Sequence, residues 1–232
     1  MVFPLYDDNP LRRANPAYVT WSLIAANALI FLWLLGADDQ TQNHIRISFG
    51  VTPLLLFNRT SLGFQIPPEI SLITSCFLHA DFWHILGNMI YLWVFGDDIE
   101  DALGSFRFLL FYLLCGIAGA LAYVALDASS TTPLIGASGA VSGILAAYLL
   151  LRPCAKVSVF VVQVVVRIRA YWLIGGWILL QFYLLATNTQ DGVGYIAHAG
   201  GAVAGALLFW VMRPKGVVFF ECIEQPREMG AG

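Results

Sequence analysis

Apolar residues along this chain gather into six blocks, at 18–36, 71–96, 106–126, 137–151, 171–187 and 195–212, separated by stretches that carry most of the charge. Blocks of this kind approach the length of a helix that crosses a bilayer. Within lipid, a single segment satisfies its own backbone hydrogen bonds only as a helix. The pattern predicts an all-α polytopic membrane protein with six transmembrane helices over 18–213, a segment 1–17 before them and a tail 214–232 after them. The first block follows Arg12 and Arg13 as a signal peptide would, but its apolar run is longer than a signal core and no clear cleavage site follows. It is read as a retained helix.

Two stretches break the pattern. The loop at 37–70 is long, and its apolar portions at 51–57 and 61–66 predict that it lies on or in the membrane interface. Residues 157–166 are rich in valine but too few to span, so they are expected at the surface where Lys156 and Arg167 bracket them.

Composition supports the membrane reading: 59% of the 232 residues are hydrophobic and 12% charged, against about half and about a quarter in soluble domains. The net charge of -3 and the lack of like-charge runs give no sign of a nucleic-acid partner. Cys76, Cys115, Cys154 and Cys222 show no close-spaced pairing, so they predict small buried hydrophobes, with neither a disulfide framework nor a metal site. No cofactor is expected. Placement of charge matters more than its total, because basic residues collect on the cytoplasmic side of short loops. With the N-terminal side cytoplasmic, ten of the twelve Lys and Arg residues fall on that face, leaving Arg46 and Arg59 outside.

The fourth block carries the first candidate chemistry. Gly136-Ala137-Ser138-Gly139-Ala140 opens a helix with about fourteen residues before Arg152 and Pro153, roughly 21 Å against a hydrocarbon core of about 30 Å. The polar loop at 127–135 must dip inward to make up the difference, which sets Ser138 below the outer surface at a helix N-terminus. Unpaired backbone N–H groups and the helix dipole there suit a developing oxyanion, and a serine there suits a nucleophile. Taken alone, the segment equally fits an N-cap serine beside glycines that allow close helix packing.

The sixth block, with Ala197-His198-Ala199-Gly200-Gly201, places an ionisable ring near the outward end of a spanning helix, where such a residue is a functional candidate. Gly139 and Gly143 on one helix and Gly201 and Gly205 on the other are each four apart, offering two flat faces across which His198 could reach Ser138. The imidazole would act as general base and then general acid. No carboxylate is evidently placed to orient it, so a dyad is predicted, and the aspartates and glutamates are read as solvated loop residues. His84 and Asn88 share one helical face and could donate to an oxygen beside Ser138. They also fit interhelical hydrogen-bond glue. His79 is read as structural.

These residues together resemble the rhomboid family of intramembrane serine proteases: Gly-x-Ser-Gly at 136–139, Ala-His-x-Gly-Gly at 197–201, and His84-x-x-x-Asn88, in family order across all six blocks. The resemblance implies a six-helix bundle whose short fourth helix opens at a buried active site. It implies Ser138 as nucleophile and His198 as base, with His84, Asn88 and the Ser138 backbone N–H as oxyanion donors. Gly136, Gly139, Gly201 and His79 would be structural near that site. It further implies a lateral element at 37–70, a gate and cap formed by the fifth helix with 188–194, and a structural turn at 100–104. The partners implied are transmembrane segments of substrate proteins and the bilayer, in a bacterial inner membrane with both termini cytoplasmic.

Two positions depart from the family. The loop at 37–70 contains no tryptophan, where many members carry a Trp-Arg pair. Ser142 stands where some members place an aromatic ring that stacks on the base. Tyr195, three residues before His198 on its helix, is not an evident substitute. A noncatalytic rhomboid-like adaptor would not need Ser138 and His198. A histidine-based transporter or proton path would need polar residues along the whole crossing, and they cluster at one end.

Overall fold

The computed structural model describes residues 3–8, 16–58, 67–161, 163–187 and 193–222. Expectations for Arg12, Arg13, Arg59, Asp191, Arg227, residues 61–66 and the cap at 188–192 fall outside them. In chain order the elements are β1 (Phe3–Asp7), α1 (Tyr18–Leu35), α2 (Asp39–Phe49), α3 (Pro53–Asn58), α4 (Ser71–Thr74), α5 (Phe82–Leu103), α6 (Ser105–Leu126), α7 (Ser138–Leu151), β2 (Lys156–Val161), β3 (Val164–Arg169), α8 (Ala170–Ala186) and α9 (Tyr195–Met212), with 3-10 turns at Pro68–Ile70 and Ser75–Phe77. Three of these, α1, α6 and α9, are long and apolar enough to cross a membrane, while α7 and α8 are shorter apolar helices.

Burial separates the helices into inner and outer ones. Eleven of the fourteen residues of α7 are buried, which makes it the central post. By contrast α8 buries only Ala170, Ile174 and Gln181 of its seventeen, and α1 buries five of eighteen. Their remaining surface is apolar, with Leu29, Leu32, Trp33, Trp172 and Leu179 exposed, as expected of helices whose solvent is lipid rather than water.

The second apolar block does not form one helix from its start. Asp81 interrupts it as an N-cap, its Oδ1 accepting from the N–H groups of Trp83 at 2.8 Å and His84 at 2.9 Å. The helix then continues to Leu103, past the acidic residues expected in solvated loops. That expectation is corrected: Asp98 and Glu100 are each 3% exposed. The physical reason is pairing. Glu100 caps α1, whose own N-cap Ala17 offers no side-chain oxygen, by accepting from the Val19 N–H at 3.0 Å and from the Thr20 N–H and Oγ1 at 2.8 Å each. Ser105 Oγ donates to the same carboxylate at 2.6 Å. A carboxylate on a helix N-terminus gains from charge-assisted bonds and from the dipole. Asp98 lies 3.4 Å from the buried Arg152 guanidinium at the end of α7.

The all-α expectation holds for the bundle and fails at the face that carries Arg152. There β1, β2 and β3 form an antiparallel sheet in that order, with Phe3 opposite Phe160 and Lys156 opposite Arg169. The stretch 157–166, too short to span, supplies β2 as far as Val161 and β3 from Val164, and Val157 and Val159 insert into the core. Alternation hid because Phe160 lies between Val159 and Val161 in β2 and Val164, Val165 and Val166 run together in β3. Tyr148 on α7 donates to the Asp7 carboxylate, tying β1 to the bundle.

The cysteine expectation is also corrected. Cys154 and Cys222, 68 residues apart, form a disulfide with Cα atoms 5.1 Å apart, while Cys76 and Cys115 are free and buried as expected. Spacing along the chain gave no hint because the segment after α9 folds back: the Phe220 N–H donates to Leu150 O at 2.7 Å and the Glu221 N–H to Leu151 O at 3.0 Å.

Removing one partner of the Asp98–Arg152 pair strands the other charge in the core. Arg152→Ala is expected to cost about 3–5 kcal/mol, read as a fall of about 10 °C in the unfolding midpoint of detergent-solubilised protein. The double variant Asp98→Leu/Arg152→Met should recover most of that loss. An unchanged midpoint for Arg152→Ala would refute the role of the pair.

Candidate functional site

The site is built on a seam where α7 and α9 touch backbone to backbone. A Cβ at Gly201 would collide with the carbonyl of Gly139, and one at Gly205 with the backbone of Gly143. From the third side, a Cβ on Gly119 of α6 would stand 2.6 Å from Ala197 O. Helices that approach this closely gain dispersion over their whole contact, which is what drives association in lipid.

Because the seam runs to the ends of both helices, it brings the first residue of α7, Ser138, and the first turn of α9, with His198, to one cavity. His84 and Asn88 of α5 line the same cavity. The residues singled out from sequence therefore meet at one place, although they come from three helices and span more than a hundred positions. The cavity also reaches Trp83, Gly87 and Tyr91 on α5 and Leu184 and Leu185 on α8.

The turn into α7 shows why Gly136 stands there. Its φ of +123° lies where L side chains are strained, and a Cβ would sit 2.6 Å from His84 Nε2. Its N–H donates to Ser75 O at 2.9 Å, which ties this backbone to the 3-10 turn ahead of α5. Ser138 follows as the first helical residue, so its N–H and those after it in the first turn have no partner four residues back. The loop above is pinned by a two-residue bridge in which Val51 and Leu134 exchange N–H to O bonds of 2.9 Å each. In the same loop the Ser129 hydroxyl and N–H hold the Asp127 carboxyl below its ordinary value.

Hydrogen bonds decide which ring nitrogens carry protons. Ala80 N–H donates to His84 Nδ1 at 3.3 Å, so in the neutral ring Nε2 bears the proton, and Nε2 is the atom turned toward Gly136. Asn88 Nδ2 donates to His84 O at 3.0 Å and has a second N–H to give. His79 is buried in the loop before α5, edge-on to His84 with ring centroids 5.0 Å apart.

Sequence reasoning missed two residues around His198, both on α8. Gln181 Oε1 lies 2.8 Å from His198 Nδ1, and the Trp177 ring is tilted over the imidazole at 5.7 Å between centroids. Trp177 supplies the ring that position 142 lacks; Ser142 Oγ instead donates back to Ser138 O at 2.6 Å. Tyr195 does touch His198, edge-on at 6.4 Å. One signal was present: Gln181 is the only amide or charged side chain in 170–186, and a polar residue inside an apolar helix needs a polar destination. Among the described residues, no three His, Cys, Asp or Glu side chains are grouped to hold a metal ion.

The chain has relatives among known proteins. A family model described as the Rhomboid domain matches residues 69–215. "Rhomboid protein 1, mitochondrial" of Saccharomyces cerevisiae is 34% identical over 158 residues, covering 62% of this chain and 42% of the relative. "RHOMBOID-like protein 12, mitochondrial" of Arabidopsis thaliana is 30% identical over 216 residues, covering 85% and 59%. "Rhomboid protease AarA" of Providencia stuartii is 31% identical over 147 residues, covering 58% and 52%. The chain thus spans about half the length of these curated relatives.

The seam makes a stability prediction with an internal control. Gly201→Ala must push α9 off α7 and should lower the unfolding midpoint by several degrees, an overpacking loss of about 1–3 kcal/mol or more. Gly176→Ala, on α8 with nothing within 4 Å of the added carbon, should be neutral or gain up to about 1 kcal/mol of helix propensity. Equal midpoints for the two variants would contradict the close approach.

Proposed function

The chain belongs to the rhomboid family, and from that premise we propose that it is an intramembrane serine endopeptidase that hydrolyses peptide bonds in or near transmembrane segments of other membrane proteins. The observation that carries the reading is the convergence of Ser138, His198, His84 and Asn88 on one cavity at one end of an apolar helical bundle.

In this reading His198 Nε2 takes the proton of the Ser138 hydroxyl as Oγ attacks the scissile carbonyl carbon. The carbonyl oxygen becomes an oxyanion, stabilised by Nε2–H of His84, the second Nδ2–H of Asn88 and the backbone N–H of Ser138. The tetrahedral adduct collapses as the imidazolium returns its proton to the leaving amine. Water, deprotonated by His198, then attacks the acyl-serine, and Oγ leaves with that proton. The tautomer that the Ala80 N–H sets on His84, with the proton on Nε2, suits its role as donor.

The same reading takes α1, α5, α6, α7, α8 and α9 as six crossings over 18–213, with 37–70 as the lateral outer element. The face bearing Arg107, Arg152, Lys156, Arg167, Arg169, Arg213 and Lys215 is cytoplasmic, which sets the cavity toward the opposite leaflet. Substrate would be a membrane-embedded segment, with the bilayer as the shared medium and no cofactor or nucleic acid involved.

A serine-reactive fluorophosphonate tests the nucleophile directly. Mass spectrometry of purified protein should find the adduct on Ser138, and both Ser138→Ala and His198→Ala should abolish it; a folded wild type that stays unlabelled would overturn the proposal in favour of a noncatalytic adaptor. In cleavage of a transmembrane substrate in proteoliposomes, His84→Ala should lower kcat about 10²–10³-fold, the usual cost of one oxyanion donor. Loss of less than about threefold, far short of that cost, would remove His84 from the reaction.

A further inference from the structure

The contact between His198 and α8 carries more than packing. Gln181 Nε2 donates to Trp177 O, four residues back on its own helix, at 3.3 Å. That bond sets the amide flip: reversing it would point the side-chain oxygen at a carbonyl oxygen and leave two acceptors facing each other. Oε1 is thereby the atom directed at His198 Nδ1, 2.8 Å away. An amide oxygen can only accept, so Nδ1 must carry the proton, and the lone pair of the neutral ring is left on Nε2.

Resting on the protease reading above, we infer that Gln181 is a positioning residue of this site, holding His198 in the Nδ1–H tautomer from α8 so that Nε2 faces Ser138 as a base. It fills the place a carboxylate holds in a triad, with a neutral acceptor that orients the ring and adds no charge. Gln181 is 5% exposed, one of three buried residues on an otherwise lipid-facing helix. With Ala170, Ile174 and Trp177 it falls at spacings of four, three and four, one stripe facing the bundle. The base is therefore set when that stripe is seated. Other titratable groups around the same cavity are Asp81 and His84 at the start of α5, Tyr91 further along it, Tyr123 on α6 and Asp127 beyond it. Tyr195 meets the ring from its own helix.

The tautomer can be read without any catalytic activity. In protein labelled with 15N-histidine and reconstituted in nanodiscs, at a pH where the ring is neutral, the His198 signals are those lost in His198→Ala. Wild type should show Nδ1 protonated and Nε2 bare, and Gln181→Met should show a mixture of both tautomers. A wild-type ring protonated on Nε2, or a tautomer unchanged in Gln181→Met, overturns the inference even if Ser138 proves unreactive.

Kinetics separate positioning from mere support of the fold. Gln181→Met should lower kcat about 10- to 100-fold at unchanged KM. Gln181→Glu places a carboxylate on Nδ1–H, favours the imidazolium, and should move the acidic limb of the kcat/KM profile up by about 1–3 pH units. A structural residue would change the folded fraction and leave that limb where it was, and an unmoved limb in a folded Gln181→Glu protein overturns the inference.

Discussion

Helices that present glycines at four-residue spacing can close until backbone meets backbone, and in lipid such closeness replaces the hydrophobic effect as the force between them. The seam of α7 and α9 is that contact here, with Gly139 facing Gly201 and Gly143 facing Gly205. The position of the candidate site follows from where it ends. Two helix N-termini held at backbone distance bring their first side chains within reach of a shared space, and the unpaired amides of the first turn of α7 come with them. The loop before α7 is held by Val51, Leu134 and the turn at Ser75, so its backbone finds protein partners where it enters the helix.

The opposite end of the bundle is governed by charge. Asp98, Glu100 and Arg152 are buried there, and the two carboxylates differ in what they hold. Asp98 neutralises a cation at the end of α7, and Glu100 caps α1. Buried ion pairs contribute little net stability, since desolvation offsets attraction, but they make wrong packings unfavourable by leaving a charge alone. A membrane helix can slide against lipid at small cost, and a buried charge pair fixes its depth and rotation. The apolar seam supplies adhesion and the polar clasp supplies register.

Much of this was legible in the amino-acid pattern, and the parts that were not share a cause. Helix existence followed from apolar length, and the grouping of Ser138, His198, His84 and Asn88 followed from small-residue spacing and helix-face arithmetic, which are local rules. What escaped was non-local. The docking of β1 on β2 joins residues about 150 positions apart, the Cys154–Cys222 bond depends on a fold-back after α9, and the roles of Asp98 and Glu100 depend on groups far along the chain that they meet only after folding. Gln181 belongs to the same class: its type was conspicuous in an apolar helix, but its destination required knowing which face of α8 turns inward.

The sheet joins chain segments of very different age. β1 pairs with β2 about 150 residues later, and at a synthesis rate of about 5–20 residues per second the earlier strand waits roughly eight to thirty seconds for its partner to exist. During that interval α1 to α7 emerge, and β1, Leu5 and Tyr6 included, has no ladder to join. Closure of the sheet is therefore a late event in biogenesis, sealing the bundle only after the helix that carries Ser138 has been delivered to the membrane.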